Sequence, residues 1–244
     1  MTTAICAHKG GAEHARPATY KAYRSALACG AEYAEFDVRR TRDGVLVVCH
    51  DARCPHDGPL VAELGYPELC DRLGYAVPRV DEVMGLLAGK VMGHLDLKET
   101  GYEDEVIRLA LETFGGQDFI VSTLEDESVA RIKQAFPGVR AALSLGRSLT
   151  DVLKYRWGAI RYRELFPLRR VRACRADWVA VNYKLARIGV LDQCRRHGIG
   201  TMVWTVDDDR MIDRFIADPR VGVLVTNRPG YAAGRRAALE GKLA

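Results

Sequence analysis

The sequence predicts an α/β fold, namely a (β/α)8 TIM barrel with a small β-hairpin extension after the second strand. Two observations support this prediction. Short apolar runs typical of strands alternate with helical patterns along the chain, and eight strands remain once the hairpin strand is set aside. Repeated strand–helix alternation indicates parallel strands joined by crossover helices. Eight such strands suit a closed barrel, in which active sites lie at the C-terminal ends of the strands.

The alternative architecture is an open, doubly wound sheet. That fold usually carries a glycine-rich phosphate loop of the form GxGxxG after its first strand. In this chain the first strand is followed by HKGG at residues 8–11, which does not match that loop. The first turn therefore gives the open sheet no support.

The predicted strands are short runs rich in aliphatic and β-branched residues. In chain order they are TAICAH (3–8), YAEFDVR (33–39), VLVVCH (45–50), VMGHLDLK (91–98), DFIVST (118–123), VRAALSL (139–145), DWVAVN (177–182), TMVWTV (201–206) and VGVLVTN (221–227). The Asp43–Gly44 pair is typical of a tight hairpin turn, so VLVVCH is predicted to fold back on the end of the second strand.

Helical patterns lie between most of these strands. They are TYKAYRSALACG, EDEVIRLALETFGG, EDESVARIKQAFPG, ARIGVLDQCRRHGIG and DDDRMIDRFIADPR. Several begin with acidic residues and end at glycine or proline, as capping and the helix dipole favour. No repeat or long linker interrupts the alternation, so we expect a single domain over residues 1–244.

The composition excludes several classes of protein. A net charge of +4 with 28% charged residues gives no indication of a dedicated nucleic-acid binder. The seven cysteines contain no CxxC pair and fit reduced thiols better than a disulfide framework. The N-terminus lacks the features of a signal peptide, and no apolar run reaches the ~18–20 residues of a spanning helix. We therefore expect a cytoplasmic protein, whose oligomeric state the sequence does not indicate.

Charged residues occupy one face of two predicted strands. In YAEFDVR, Glu35 and Asp37 share a face because side chains alternate along a strand, and the apolar residues take the other face. In VMGHLDLK, His94, Asp96 and Lys98 alternate with leucines in the same way. Both strands are therefore predicted to turn apolar side chains toward the helices and charged side chains toward the barrel axis.

Inward charges are costly in a barrel unless they are paired or bound to a metal. One interpretation is structural, with a buried Lys98–Asp96 salt bridge and hydrogen-bonded core histidines. The convergence of charged and imidazole groups at the ends of three neighbouring strands favours a functional site instead. Glu35, Asp37 and Asp96 offer the hard oxygen ligands that suit one divalent cation, Mg²⁺ or Ca²⁺.

The remaining polar groups suit chemistry on a phosphate. Lys98 is placed to neutralise an anionic substrate, phosphate being the natural candidate. His8 ends the first strand and His50 ends the hairpin, so the two imidazoles can act as general acid and base on opposite sides of a reacting phosphorus. Metal-assisted cleavage of a phosphodiester requires this division of labour.

The motifs AHKGG, YAEFDVRRTRDGVLVVCHD, HLDLK, TMVWTVDD and VLVTNRP resemble the glycerophosphodiester phosphodiesterase family from residue 5 to about residue 230. The resemblance implies a TIM barrel that hydrolyses small-molecule glycerophosphodiesters to an alcohol and glycerol 3-phosphate with a divalent cation. By position it implies that Glu35, Asp37 and Asp96 are metal ligands and that His8 and His50 are the acid/base pair. It also implies that Lys98 contacts the phosphate and that Trp204 lines the pocket.

The chain departs from the family pattern at three places. Lys9 replaces the usual arginine at a substrate-binding position. An ammonium group therefore replaces a guanidinium that can donate two parallel hydrogen bonds to a phosphate. RPAT at 16–19 replaces Pro-Glu-Asn-Thr. Asp96 stands where most members have glutamate, and with this aspartate the chain resembles the related sphingomyelinase D-like phospholipases, which form a cyclic phosphate. The alternatives to hydrolysis are therefore that cyclisation, other chemistry on an anionic phosphoester or diphosphate, or a non-catalytic phosphoester-binding barrel.

Two further features carry weaker hypotheses. Residues 146–176 contain nine Lys or Arg against two acids and follow the fifth barrel strand, on the predicted active-site face. A solvated helical face is the commoner explanation for such a stretch, and the alternative is that it recruits an anionic substrate or contacts a membrane surface peripherally. Lys184 follows the sixth barrel strand and is a candidate second phosphate contact.

Overall fold

A computed structural model describes residues 2–150 and 153–241. Asp151 and Val152, inside the basic stretch 146–176, lie outside the described residues, as do Met1 and residues 242–244 of the predicted domain. No helix among the described residues is both long enough and apolar enough to cross a lipid bilayer.

Within the described residues, eight parallel strands close into a barrel, which confirms the predicted fold. The barrel strands are β1 (Ala4–Ala7), β2 (Tyr33–Arg40), β4 (Met92–Leu97), β5 (Phe119–Thr123), β6 (Ala141–Leu145), β7 (Trp178–Asn182), β8 (Gly200–Trp204) and β9 (Val223–Thr226). Each strand pairs with the next one around the barrel, and β1 pairs with both β2 and β9 and so closes it.

The predicted hairpin is also confirmed. Strand β3 (Leu46–Val48) runs antiparallel to the end of β2 and lies outside the barrel. The turn is closed by the Val45 carbonyl, which accepts a hydrogen bond from the Thr41 amide at 3.0 Å. Gly44 takes a φ of 85° within this turn, a conformation that glycine adopts without steric cost.

Helices pack around the outside of the barrel. They are α1 (Tyr20–Ala26), α2 (Tyr66–Leu73), α3 (Val80–Leu87), α4 (Glu103–Phe114), α5 (Asp126–Ala135), α6 (Trp157–Leu165), α7 (Leu168–Cys174), α8 (Tyr183–Leu185), α9 (Leu191–Arg196), α10 (Asp209–Ile216) and α11 (Pro229–Glu240). Helices α2, α3, α6, α7, α8 and α11 lie outside the helical patterns given above. All but α11 have at most 9 residues, too few turns for a clear hydrophobic periodicity.

The apolar residues of the described chain form three clusters, one of which packs β3 against α2 and includes Val47 and Leu69. Phe36, Leu95 and Leu97 belong to the large core between the strands and the helices, as the alternation in their strands predicts. A smaller cluster fills the barrel axis and includes Cys6, Ile120, Ala142, Met202 and Val225.

The N-terminal end of the barrel is plugged by Trp178. A Cβ atom at Gly200 would lie 2.3 Å from the Trp178 indole, and one at Gly222 would lie 2.8 Å from it. The two glycines therefore make room for the ring. With this end filled, the polar residues at the opposite, C-terminal end remain open to solvent.

Candidate active site

A cavity of about 480 Å³ opens at the C-terminal ends of the strands. It is the place where active sites occur in this fold. Most of the predicted site residues line it, namely His8, Glu35, His50, Asp96, Lys98 and Trp204. Strands β1, β2, β4 and β8 and the segment after β3 thus bring together residues that are up to 196 positions apart in the sequence.

The three predicted metal ligands converge. Strands β2 and β4 pair so that Asp37 lies beside Asp96, and Glu35 precedes Asp37 by one inward position. Each of the three carboxylates offers an oxygen within 4.8 Å of the others. Both oxygens of Asp37 are buried, and among the described residues they contact only the ammonium groups of Lys98 and Lys9. Three carboxylates brought this close together offer the hard oxygen ligands that fit a divalent cation.

Two lysines partly compensate the carboxylates. Lys98 Nζ lies 2.6 Å from Asp37 Oδ1 and also contacts Asp96 Oδ2, and Lys9 Nζ lies 3.7 Å from Asp37 Oδ2. Burial raises the pKa of Asp37, but Lys98 and Lys9 outweigh that effect and lower the pKa to about 2. Burial and then the charge of Asp37 raise the pKa of Glu35. Three carboxylates facing two ammonium groups leave one carboxylate uncompensated, which also suits a cation.

The HKGG motif forms a tight turn that reaches Glu35. The Lys9 amide donates a hydrogen bond of 2.6 Å to Glu35 Oε2. This requires positive φ angles of 53° at Lys9 and 79° at Gly10, and a Cβ atom at Gly10 would lie 2.9 Å from the Ala22 backbone. Lys9 therefore contacts the site through its amide and through its ion pair with Asp37, and its side chain is not among those that line the cavity in the described chain.

The altered RPAT loop is braced by other contacts. The Ala18 amide donates to the Lys9 carbonyl at 2.8 Å, and Thr19 Oγ1 accepts from the Ala22 amide at the start of α1. The Arg16 guanidinium lies 4.8 Å from the centre of the Tyr75 ring, a cation–π contact. The loop next to His8 is thus held without the glutamate and asparagine of the family pattern.

His8 is held in one orientation by Asn227, which directly follows β9. Its Nδ1 lies 2.7 Å from Asn227 Oδ1. Asn227 Nδ2 donates to Asp207 Oδ2 at 2.7 Å, and the Asn227 amide donates to Asp207 Oδ1 at 2.8 Å. Because a carboxylate only accepts, the Asn227 carbonyl must face His8, which donates from Nδ1 and keeps a lone pair on Nε2. Burial lowers the pKa of His8 and so favours this neutral form.

His50 has the same arrangement in a more open setting. Its Nδ1 lies 2.7 Å from Asp51 Oδ1, so Nε2 is again the nitrogen left for a substrate. The His50 carbonyl accepts hydrogen bonds of 2.9 and 3.2 Å from the buried Arg39 guanidinium, which also pairs with Glu99. Arg39 therefore fixes the backbone of His50 while the imidazole stays half exposed.

A buried chain of hydrogen bonds orients Asp96. Ser122 Oγ donates to Asp96 Oδ1 at 2.6 Å and lies 2.9 Å from His94 Nε2, which must then be its donor. His94 Nδ1 lies 3.7 Å from the sulfur of Cys6. Burial lowers the pKa of His94 to about 4, so its neutral form fits this role. For His94 alone, the interpretation as a hydrogen-bonded core histidine agrees with the structure.

Lys184 lies apart from this cavity. Its side chain is exposed on α8, with Nζ 5.9 Å from the centre of the Tyr183 ring, and it is not among the cavity-lining residues of the described chain. Its role as a phosphate contact stays a prediction without a geometric basis.

Several site residues were not among the predicted ones. They are Arg39, Arg147 and Ser122 in the cavity wall, and Asn227 and Asp207 behind His8. Arg39 follows Glu35 and Asp37 at the next inward position of β2, so continued alternation could have identified it. The contact of Asn227 with His8 spans 219 residues and has no local signal.

Comparisons with known proteins identify the family of this chain. The model of the glycerophosphoryl diester phosphodiesterase family matches residues 8–231. A glycerophosphodiester phosphodiesterase from Caldanaerobacter subterraneus subsp. tengcongensis is 23% identical over 250 residues, covering 94% of this chain and 96% of the relative.

Solved structures share the fold. That of a glycerophosphodiester phosphodiesterase from Agrobacterium tumefaciens is 25% identical, with a TM-score of 0.73 over 95% of this chain and 99% of the other. That of an Oleispira antarctica phosphodiesterase, in complex with the product sn-glycerol-3-phosphate, is 16% identical, with a TM-score of 0.75 over 96% of each chain. Since the family model spans nearly the whole chain, this protein belongs to the glycerophosphoryl diester phosphodiesterase family.

Proposed function

We propose that this protein hydrolyses a glycerophosphodiester to glycerol 3-phosphate and an alcohol, using a divalent cation and two histidines. The observation that carries the proposal is the convergence of three carboxylates, Lys98 and two imidazoles around one cavity of a barrel from this family. The sn-glycerol-3-phosphate bound as product in the Oleispira antarctica phosphodiesterase supports the choice of substrate.

Glu35, Asp37 and Asp96 would hold the cation, Mg²⁺ or Ca²⁺. When bound, it would neutralise charge on the nonbridging oxygens of the phosphate. Lys98 reaches the same cavity with its ammonium group, and the neighbouring carboxylates outweigh the effect of burial and raise its pKa. Lys98 is therefore a permanent cation that attracts an anionic phosphodiester and holds it beside the carboxylates.

The two histidines would move the protons. With Nδ1 donating to Asn227, His8 Nε2 accepts the proton of the entering hydroxyl as its oxygen bonds to phosphorus. His50, with Asp51 at its Nδ1, donates a proton from Nε2 to the alcohol oxygen as the phosphorus–oxygen bond breaks. Both water and a neighbouring hydroxyl of the substrate can be the nucleophile in this scheme, since either needs the same two transfers.

A panel of phosphodiesters assayed with Mg²⁺ and with Ca²⁺, and followed by phosphorus NMR, tests the proposal. We expect the signal of glycerol 3-phosphate to appear from glycerophosphodiesters only when a divalent cation is present. A cyclic phosphate as the final product would show attack by a substrate hydroxyl, as in the sphingomyelinase D-like enzymes. Turnover of other phosphoesters or of diphosphates, but not of glycerophosphodiesters, would show that the substrate is different. Tight binding without any turnover would indicate a non-catalytic barrel.

A further inference from the structure

Exposed hydrophobic side chains are concentrated beside the catalytic mouth. Among the described residues, the large hydrophobic side chains that remain exposed, by 39 to 80%, all lie between residues 153 and 188. They are Leu153, Tyr155, Trp157, Tyr162, Phe166 and Ile188. We call residues 153–166 together with Ile188 the aromatic rim. Exposed apolar side chains concentrated in this way indicate an interaction site.

The aromatic rim is fastened to the wall of the catalytic cavity. Gly146 and Arg147, which follow β6, line that cavity. Their amides each donate a hydrogen bond of 2.9 Å to Oε1 of Glu164, a buried residue of α6. Arg161 pairs with the same carboxylate and donates to the Arg147 carbonyl at 3.0 Å. A surface that covers the aromatic rim therefore comes to lie next to the mouth of the cavity.

Helix α6 leaves one of its faces without a partner in the described chain. Glu164 turns inward, whereas Tyr162, Arg163 and Phe166 are exposed on the outer side. The rings of Tyr162 and Phe166 lie 4.9 Å apart and form one continuous aromatic surface. Leu153 and Tyr155 are also exposed, in the segment directly before the helix.

The exposed charges on the aromatic rim itself are positive, and the nearby acids Glu125, Asp126 and Glu127 lie at the start of α5, where they line a pocket together with Arg156 and Arg163. Lys154, Arg156, Arg163 and Arg169 are exposed and form no ion pair with any described residue. The only acid in residues 153–176 is Glu164, which is buried and already paired. Exposed aromatic side chains interspersed with unpaired arginines match the interface of a membrane that carries anionic lipids.

We propose that the aromatic rim docks this protein on an anionic lipid surface, with the catalytic mouth turned toward the lipid headgroups. Tyrosine and tryptophan side chains settle at the level of the headgroups, and the basic residues contact the lipid phosphates. A second copy of the chain is a poorer occupant, because a two-fold contact would set the unpaired cations of both copies against each other. The proposal concerns binding and does not depend on the substrate assigned above.

Vesicle flotation tests the proposal with the full chain. We expect binding to vesicles of phosphatidylcholine mixed with phosphatidylglycerol at low salt, and much weaker binding to pure phosphatidylcholine. The double variant Tyr155→Ser and Tyr162→Ser, and separately Arg156→Glu with Arg163→Glu, should each reduce the bound fraction by ~10-fold or more. The matched control is Arg195→Glu with Arg196→Glu, an equal charge change at exposed residues of α9 before β8, on the opposite end of the barrel.

The control variant should bind vesicles like the wild type, and equal melting temperatures should show that every variant is folded. The proposal is overturned if the wild type does not prefer anionic vesicles, or if the control loses as much binding as the rim variants. Light scattering decides the remaining case. Suppose that the wild type does not bind vesicles but forms a dimer, and that the double variant Tyr155→Ser and Tyr162→Ser is a monomer. This result would show that a second copy of the chain covers the aromatic rim.

Discussion

His8 Nδ1 and Asn227 Oδ1 lie 2.7 Å apart, and this contact determines which nitrogen of His8 faces the cavity. Asp207 fixes the amide of Asn227 by accepting from its Nδ2, so the carbonyl oxygen can only face the imidazole. The proton of neutral His8 therefore stays on Nδ1, and Nε2 is available as a base. In the proposed mechanism, Asp207 would therefore be a positioning residue that acts through Asn227 and His8.

Asn227→Ala should lower kcat by ~10²-fold or more, within the ~10²–10⁴-fold range of acid/base catalysis, because His8 loses its orientation and its tautomer. The contact with Asn227 raises the pKa of His8 against the effect of burial. Its loss should therefore move the acidic limb of the kcat/KM profile to lower pH. The measurement is a pH–rate profile of both proteins. If the variant keeps the wild-type kcat and the same acidic limb of the kcat/KM profile, Asn227 has no role in the mechanism.

Asp207→Asn is a conservative substitution that tests the same hydrogen-bond chain one residue further from His8. The new amide no longer forces the Asn227 carbonyl toward His8, so we expect a loss of kcat with little change in KM. Steady-state kinetics with the same substrate provide the measurement. A KM effect alone would assign Asp207 to the shape of the pocket and leave the histidine tautomer unexplained.

His50→Ala should lower kcat by ~10²–10⁴-fold while substrate binding survives, as the loss of one acid/base group implies. The matched control is His197→Ala, an exposed histidine just after α9 on the opposite end of the barrel. Single-turnover kinetics together with calorimetric binding separate the two effects. Turnover of His50→Ala at the wild-type rate would end its assignment to proton transfer.

Asp37→Asn should abolish the rise in melting temperature that Mg²⁺ or Ca²⁺ causes in the wild type. Asp37 is buried between Glu35 and Asp96, and an amide at this position offers the cation a single neutral ligand. Thermal unfolding over a range of cation concentrations is the measurement. Glu112→Gln, an exposed acid on α4, should respond to the cation like the wild type.

Glu32→Gln should reduce stability in a pH-dependent way. Glu32 accepts hydrogen bonds from the Ile5 amide in β1 at 2.8 Å and from both terminal nitrogens of Arg236 in α11. These contacts join β1 to α11. Burial raises the pKa of Glu32, but Arg236 and Ile5 outweigh it, so the folded-state pKa lies below the ordinary value of 4.5. Since the carboxylate is about one-third exposed, its charge contributes only ~0.5–1 kcal/mol.

The sign of this effect follows from the direction of the shift. The contribution of Glu32 is fully present above pH 4.5 and is lost as the pH falls through the lower folded-state pKa. Urea unfolding should therefore show the difference between wild type and Glu32→Gln near neutral pH and show it shrinking in acid. A difference that grew as the pH fell would contradict the ion pair.

Much of the fold and of the site follows from local patterns. Alternation along β2 and β4 placed Glu35, Asp37, Asp96 and Lys98 on the inner face, because the two-residue period of a strand leaves no other arrangement for the leucines. The Asp43–Gly44 pair likewise sufficed for the hairpin. These features need only neighbouring residues and one rule of strand geometry.

Other features depend on contacts that no local pattern encodes. The placement of Asn227 beside His8 results from the closure of β9 onto β1. Lys184 has the right position in the chain, after β7, yet the short helix α8 carries its side chain into solvent. The basic stretch 146–176 mixes cations with apolar and aromatic residues, and only the packing of Glu164 under Gly146 and Arg147 decides which face of α6 is exposed.

Anomalous diffraction from crystals soaked in Mn²⁺ is the most direct measurement of the central feature, a cation site built from Glu35, Asp37 and Asp96. Manganese accepts the same carboxylate ligands as magnesium and scatters strongly enough to be located. We expect one strong peak among these three side chains, with oxygens from all three as ligands. A well-ordered peak elsewhere in the barrel, or none at a saturating concentration, would contradict the proposed site.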